Sequence, residues 1–195
     1  MSKRLLDNIP NMSNAELIGL AKNRWLPEDI QHAISHLDYP RAKVYLAENE
    51  GLCPSVRDYM WSDDCNRGYS LKIAMITAGQ YMQEPEKYWE LYDRYSCNWH
   101  RSGWKMGMAF FGNSHWTHGS AGTPSALLNR IYDDRYDPKS GNKHTDHWKY
   151  GYGKYELERL ARHPKVDIQL AIKLSQCGIE SVQRHGFNKI VELSK

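Results

Sequence analysis

A four-residue phrase that recurs along the chain decides the fold. It reads Leu-Ala-Lys-Asn at residues 20–23, Leu-Ala-Glu-Asn at 46–49 and Leu-Ala-Arg-His at 160–163. The first two copies are offset by 26 residues in both their leucine and their asparagine. A period of this length is typical of stacked helix pairs, because each pair buries its apolar face only against its neighbours. The prolines that follow the three copies are Pro27, Pro54 and Pro164.

Between the copies, apolar residues recur with the period of an α-helix. The stripe that follows Pro27 consists of Ile30, Ala33, Ile34 and Leu37. This spacing predicts a helix with one buried face. Upstream, Ser13 and Glu16 have the spacing of a capping box, which predicts a helix start. The sequence therefore predicts an all-α fold: a right-handed α-solenoid of about five helical pairs, forming a single domain over residues 1–195.

Two Gly-rich, polar segments interrupt the repeat. They span residues 112–122 and 133–153, and we expect both to be loop insertions. Residues 1–12 are expected to be a lead-in to the first helical unit. Loops on a rigid scaffold often carry function, but plain linkers have the same composition. The sequence leaves both interpretations open for each segment.

The phrase resembles that of the variant leucine-rich repeats, a group of HEAT-like helical solenoids. Their phrase has a basic residue, a run of small or apolar residues, an asparagine and then a proline that opens a new helix. Residues 43–49 with Pro54 match this pattern. Residues 157–164 match it less well, with His163 in place of asparagine and no basic residue at the lead position. The resemblance implies an α-solenoid that mediates binding. Some HEAT-like members bind DNA and a few of those are glycosylases, but no activity transfers to a named residue here.

Aligning the second helices of the units places three lysines at one point of successive units. They are Lys43, Lys72 and Lys105, and each directly precedes an apolar residue. Equivalent positions of stacked units lie side by side, so a ladder of ammonium groups would suit a phosphate backbone or an acidic protein surface. The alternative is that the lysines pass along the core edge and pair with neighbouring carboxylates such as Glu48 or Asp64.

The second insertion and its surroundings interleave basic and aromatic side chains. This mixture suits base stacking with phosphate contact, and it suits a protein-binding hot spot equally well. Acidic residues in the same segment dilute the positive charge and favour a protein partner; they are Asp133, Asp134, Asp137 and Asp146. The candidate contact residues outside the ladder are Trp116, Arg135, Lys143, Trp148, Tyr150 and Tyr152.

Histidine pairs in the insertions raise the question of a metal. Pairs spaced three residues apart point the same way on a helix, and imidazole suits zinc. No Cys-x-x-Cys or His-Glu-x-x-His pattern anchors a site, so we interpret the pairs as surface histidines and predict no cofactor. If zinc does bind, the ligands are expected from His115, His118, His144 and His147.

The chain carries no recognised catalytic motif. It has no Gly-x-Ser-x-Gly elbow, no P-loop and no Gly-x-Gly-x-x-Gly. The adjacent carboxylates at residues 63–64 and 133–134 are interpreted as helix caps rather than acid–base pairs. We therefore expect a non-enzymatic binding or adaptor protein with a protein partner. A nucleic-acid-binding repeat protein is the alternative, and a metal-dependent enzyme acting on nucleic acid is the third hypothesis.

The expected compartment is the cytoplasm. The first ten residues lack the apolar core of a secretory signal, and no stretch approaches the ~18 apolar residues of a membrane span. The cysteines lack the spacing of a disulfide framework, which agrees with a reducing environment. The four cysteines are Cys53, Cys65, Cys97 and Cys177.

Overall fold

The computed structural model describes residues 2–62, 68–95, 106–112, 119–136 and 152–195. Within these ranges the chain is helical and contains no strand, which confirms the all-α prediction. Contacts along the chain divide it into two compact units, residues 1–80 and 81–195. The single domain over residues 1–195 stays a prediction, and the two units are treated separately below.

The first unit contains six described helices, and short turns join the first five of them. A 3-10 turn, Ile9–Asn11, links the first helix to the second. The six helices are α1 (Ser2–Asn8), α2 (Asn14–Ala21), α3 (Glu28–His36), α4 (Pro40–Ala47), α5 (Pro54–Ser62) and α6 (Gly68–Thr77).

These helices pack in an alternating order. α1 contacts α3, and α3 contacts α5; α2 contacts α4, and α4 contacts α6. The first helices of successive pairs are therefore neighbours, and so are the second helices. The side chains between them form the core of the unit, because their apolar positions recur at helical spacing. The core includes Ile30, Ile34, Ala42, Leu46, Val56 and Met60, all of which are buried.

The last four described helices of the second unit follow the same rule. α9 contacts α11, α10 contacts α12, and α11 packs against α12 within the last pair. A 3-10 turn, Gly119–Gly122, precedes α9. The helices are α7 (Pro85–Tyr95), α8 (residues 106–111), α9 (Ser125–Arg135), α10 (Tyr152–Ala161), α11 (Ile168–Ser175) and α12 (Glu180–Leu193).

The helix starts follow local signals, with one exception. The capping box is present, since the Ser13 hydroxyl accepts the N–H of Glu16 and the Glu16 carboxylate accepts the N–H of Ser13 at 2.8 Å. Pro27 is the N-cap of α3, and Pro54 is the first residue of α5. Pro164 differs, because it lies in a turn and α11 begins only at Ile168. The proline after the third phrase therefore does not open a helix.

The described parts of the two predicted insertions are mostly helical, so the insertions are shorter than expected. Residues 133–135 are the last residues of α9, and residues 152–153 begin α10. Residues 119–122 form the 3-10 turn. The remainder of both insertions, residues 113–118 and 137–151, lies outside the described residues.

Candidate interaction surface

The three copies of the phrase fold into the same turn. In each copy the backbone carbonyl of the fourth residue accepts a hydrogen bond from the backbone N–H three residues later. These bonds are 3.1 Å from Leu26 to Asn23, 3.1 Å from Leu52 to Asn49 and 3.2 Å from Val166 to His163. The side chain of the fourth residue also accepts the N–H two residues later. Those donors are Trp25 at 3.1 Å, Gly51 at 2.8 Å and Lys165 at 3.2 Å. The recurring letters therefore specify one local geometry.

In the first unit, side-chain amides join the turns at residues 46–52 and 76–80 to the turn before each of them. The Asn49 amide nitrogen donates to the carbonyl oxygens of Ala21 at 2.7 Å and Asn23 at 2.9 Å. The Gln80 amide nitrogen donates to the carbonyls of Ala47 at 3.4 Å and Asn49 at 2.7 Å. Both amides thus reach the same two acceptor positions of the preceding phrase. The bonds to Ala21 and Ala47 satisfy carbonyls that the ends of α2 and α4 leave without a helical partner.

The next turn along the chain, at residues 76–80, makes the same links to its predecessor with a different residue. Gly79 stands where the phrase has asparagine, and its N–H donates to the carbonyl of Ile76 at 3.0 Å. Its φ of +81° is a backbone conformation that glycine adopts readily. Gln80, one residue later and one methylene longer than asparagine, supplies the amide. The position of the donor has shifted while its acceptors have not.

In the second unit an imidazole takes the place of the amide. His163 Nε2 donates to the carbonyl of Ser120 at 2.8 Å, while its Nδ1 accepts the N–H of Lys165. Ser120 occupies the asparagine position of its own turn, because it accepts the N–H of Thr123 at 2.9 Å. Burial lowers the pKa of His163, and the nearby charge of Lys165 acts in the same direction. The neutral ring is therefore the form that makes this link.

Close backbone approach also fixes the first two turns. A Cβ atom at Gly51 would lie 1.9 Å from the carbonyl oxygen of Arg24, so only glycine fits there. The buried Gln31 side chain donates to the carbonyls of Leu26 at 2.8 Å and Gly51 at 2.9 Å. Its oxygen accepts the N–H of Cys53 at 2.8 Å. One buried side chain therefore holds both turns in place.

The first of these rigid turns exposes a tryptophan. Trp25 is 79% exposed, and the guanidinium carbon of Arg24 lies 4.8 Å from the centroid of its ring. Arg24 also lies 3.8 Å from the carboxylate of Glu50 in the next turn. The Lys22 ammonium lies 4.2 Å from the centroid of the Tyr45 ring on α4. We call Lys22, Arg24, Trp25, Tyr45 and Glu50 the Trp25 surface.

Acidic groups accompany the cations of this surface. Glu50 pairs with Arg24, and Glu48 is close enough to Lys22 to interact with its charge. Burial raises the pKa of Glu48, and Lys22 partly offsets that effect. Because carboxylates stand beside both cations, the surface has no strong excess of positive charge.

Two predicted ladder lysines lie among the described residues. Lys43 on α4 is half-buried. Lys72 on α6 is only 4% exposed, and its ammonium lies 4.8 Å from the centroid of the Trp61 ring. A side chain so deeply covered does not present its charge to a surface partner, which corrects the assignment of Lys72 as a contact residue. Lys105 lies outside the described residues.

The other predicted contact and metal residues are mostly beyond what the structure describes. Arg135 is the last residue of α9, and Tyr152 is the first of α10. Among the described residues no group of three or more His, Cys, Asp and Glu side chains has metal-binding geometry. The predicted residues outside the described ranges are Trp116, Lys143, Trp148, Tyr150, His115, His118, His144 and His147.

The predicted capping role of residues 133–134 is wrong. Both aspartates lie inside α9, near its end, and connect it to neighbouring helices. Asp133 accepts the Lys173 ammonium at 2.6 Å, and Asp134 accepts the Tyr92 hydroxyl at 2.7 Å. They serve packing between helices rather than the start of the next one. Residues 63–64 lie outside the described residues.

One cluster that the sequence did not single out combines a hydroxyl, an imidazole and a carboxylate. The Ser55 hydroxyl donates to Glu28 and lies 3.5 Å from His32 Nε2. Glu28 also lies 3.9 Å from the same nitrogen. A nucleophile relay needs the acid on the ring nitrogen opposite the hydroxyl. Here the Ser55 hydroxyl and the Glu28 carboxylate both lie near Nε2, so the cluster lacks the geometry of a relay. Its contacts link α3 to α5.

In the part of the chain that the structure describes, no helix is both long enough and apolar enough to cross a bilayer. Comparisons of the chain with protein-family models, curated proteins and solved structures found no match.

Proposed function

We propose that this protein is a non-enzymatic binding protein, an adaptor that engages a protein partner through the Trp25 surface. The scaffold we propose for it is an α-solenoid related to the variant leucine-rich repeats. The alternating contacts of α1 to α6, and those of α9 to α12, support that scaffold within each unit. The repeated turn and its side-chain links to the preceding turn support it further.

The single observation that carries the binding role is the exposure of Trp25. A large aromatic side chain that remains 79% exposed on a turn fixed by side-chain hydrogen bonds is an unusual use of apolar surface. Tryptophan and arginine are the residues most enriched in binding hot spots. Because the turn is already ordered, little conformational entropy is lost when a partner covers it.

The charges around Trp25 favour protein over nucleic acid. Arg24 and Lys22 have Glu50 and Glu48 beside them, whereas a phosphate backbone calls for unopposed cations. With Lys72 buried, the lysine ladder also loses one of its members. The half-buried Lys43 on α4 remains a candidate contact residue. Nucleic-acid binding through the second insertion is the alternative that the experiment below separates.

The test is affinity capture from native lysate, with and without nuclease. Wild-type protein is expected to retain a protein partner after nuclease treatment and at raised salt. Trp25→Ala is expected to lose that partner. The matched control is Tyr155→Ala, which removes another exposed aromatic ring (65% exposed) on α10.

Two outcomes would overturn the proposal. Loss of the captured material on nuclease treatment, with a steep fall in affinity as salt rises, would assign the protein to nucleic acid. Equal capture by wild type and Trp25→Ala would remove the Trp25 surface from the binding site. Circular dichroism of each variant checks that its helices are intact.

A further inference from the structure

Arg24 on the Trp25 surface keeps its hydrogen-bonding groups available. Its side chain is 61% exposed, and its Nη1 atom lies 3.8 Å from the Glu50 carboxylate. A hydrogen bond between nitrogen and oxygen is shorter, at roughly 2.7–3.2 Å, so this contact is ionic only. Within the part of the chain that the structure describes, the guanidinium donates no hydrogen bond. Its N–H donors are therefore open to an acceptor from outside the chain.

The Trp25 ring and the turn hold this guanidinium in place. The guanidinium carbon lies 4.8 Å from the ring centroid, and a cation resting on a ring has lost part of its side-chain freedom. The backbone below is fixed as well. The N–H of Trp25 donates to the Asn23 side chain at 3.1 Å, and the carbonyl of Arg24 packs closely on Gly51. A ligand therefore meets donors that are already oriented.

The shape of the guanidinium selects the ligand. Its planar fork of N–H groups matches a carboxylate, which accepts two parallel hydrogen bonds from it. Trp25 lies directly beside the fork and is 79% exposed, so it offers apolar area at the same place. A ligand with a carboxylate next to an apolar group satisfies both. In a protein partner this is an aspartate or glutamate beside an apolar residue.

The neighbouring acids restrict the ligand further. Glu50 is 80% exposed in the next turn, and Glu48 lies near Lys22. A nucleic acid presents a continuous row of phosphates, and part of that row would meet these carboxylates. A single carboxylate needs to displace only Glu50 from Arg24. The charges therefore favour an isolated acid over a polyanion.

We propose that the Trp25 surface recognises an acidic peptide segment of its protein partner, an inference that rests on the proposed function. A carboxylate of the segment accepts paired hydrogen bonds from Arg24, and an adjacent apolar side chain packs on Trp25. Glu50 is the internal competitor of that carboxylate. Because both members of the Arg24–Glu50 pair are exposed, the pair is weak and readily displaced. Removing the charge of Glu50 therefore tightens binding of the segment.

The second unit offers a matched control pair. Arg184 and Glu180 on α12 also lie 3.8 Å apart, with side chains 70% and 92% exposed. Among the described residues no aromatic ring contacts Arg184. This pair has the charges and the separation of Arg24 and Glu50 but lacks the ring. Substitutions in it show whether any exposed arginine would serve as well.

The test begins with random peptides displayed on phage. They are panned on the full chain after depletion on Trp25→Ala, and the selected peptides are expected to carry aspartate or glutamate beside an apolar residue. Fluorescence anisotropy then gives the Kd of a selected peptide. Arg24→Gln is expected to raise this Kd roughly tenfold, and Glu50→Gln to lower it about threefold. Arg184→Gln and Glu180→Gln are expected to leave it unchanged, and circular dichroism checks the helices of each variant.

Several outcomes would overturn the inference. One is a set of selected peptides rich in lysine or arginine that bind Glu50→Gln more weakly, because Glu50 would then be the recognised group. Equal binding by wild type and Arg24→Gln is another, and so is a library without Trp25-dependent peptides. The proposed function fails separately, through equal lysate capture by wild type and Trp25→Ala. Trp25-dependent binding of labelled single-stranded DNA, with a steep fall as salt rises, would overturn both.

Discussion

The side-chain amide of Asn49 donates to the main-chain carbonyl of Asn23, the residue that holds the same place one phrase earlier. Asn49 is buried, whereas Asn23 is exposed. The asparagine at the fourth position of the phrase therefore has different roles in the two copies. Each asparagine shapes its own turn, but only the second also ties its turn to a preceding one.

This difference predicts unequal costs for the two asparagines. Asn49→Ala removes hydrogen bonds to the buried carbonyl of Ala21 and the part-buried carbonyl of Asn23, and it removes the acceptor for the N–H of Gly51. We expect the free energy of unfolding to fall by about 2–4 kcal/mol. Asn23→Ala removes only the acceptor for the N–H of Trp25, so a loss below about 1 kcal/mol is expected. Urea denaturation measures both; equal losses would show that the link between turns contributes nothing.

Two glycines in the first unit should respond in opposite ways to alanine. A methyl group at Gly51 would collide with the carbonyl of Arg24, whereas nothing lies within 4 Å of a Cβ at Gly19 on α2. We expect Gly51→Ala to destabilise the protein by roughly 2–4 kcal/mol through forced backbone movement. Gly19→Ala should stabilise it by about 0.5–1 kcal/mol, because alanine favours helix. Thermal unfolding of the pair checks the sign of each change.

Buried, neutral His163 predicts a loss of stability in acid. Its pKa in the folded protein lies below the value near 6.5 of an unfolded chain. Between these two values only the unfolded state binds the proton. The contribution of the neutral ring is therefore complete above about pH 6.5 and is lost as the pH falls through the lowered pKa. Urea midpoints measured from pH 7.5 to 5 should fall with pH.

Variants at residue 163 isolate the contribution of His163 to the pH dependence of stability. They are needed because the pKa of His185 is also lowered. His163→Asn introduces the residue that the first two phrases carry, and it should reduce the dependence on pH between 7.5 and 5. His163→Ala should reduce it equally, but at about 1–3 kcal/mol of stability, because the Ser120 carbonyl loses its donor. An unchanged pH profile in both variants would exclude His163 as a source.

Trp25 should be dispensable for folding. Its ring is largely exposed and contacts mainly Arg24, so Trp25→Ala is expected to change the free energy of unfolding by less than about 0.5 kcal/mol. A loss of several kcal/mol would mean that the ring supports the turn rather than a partner. Chemical denaturation followed by circular dichroism gives the answer without relying on tryptophan fluorescence.

Local patterns in the sequence were sufficient for the helical class. The stripe that includes Ile30 and Ile34 is buried as its period predicts, and the Ser13–Glu16 cap forms. These features depend on neighbours within one or two turns of helix, which a sequence displays directly. The sequence did not show that Pro164 would lie outside α11. Asp167 is the N-cap of that helix instead, and its side chain accepts a hydrogen bond from the N–H of Leu170.

The candidate surface was harder to predict because exposure is a tertiary property. Lys72 matched its ladder position but is covered in the structure. Trp25 was overlooked even though the repeated phrase contained a signal. Its position, two residues after the fourth letter, holds Gly51 and Lys165 in the other copies. Lysine is rarely buried, so the alignment of Trp25 with Lys165 indicates an exposed position. Gly51 gives no such signal, because a Cβ atom there would collide with the carbonyl of Arg24.

The one-residue displacement of the donor from Gly79 to Gln80 has a practical consequence for recognising such chains. A profile that scores only asparagine would pass over the turn at residues 76–80, because there Gln80 makes the two donations to the preceding turn that Asn49 makes one repeat earlier. Searches that score asparagine and Gly-Gln as equivalent at this turn would detect related repeats at greater evolutionary distance.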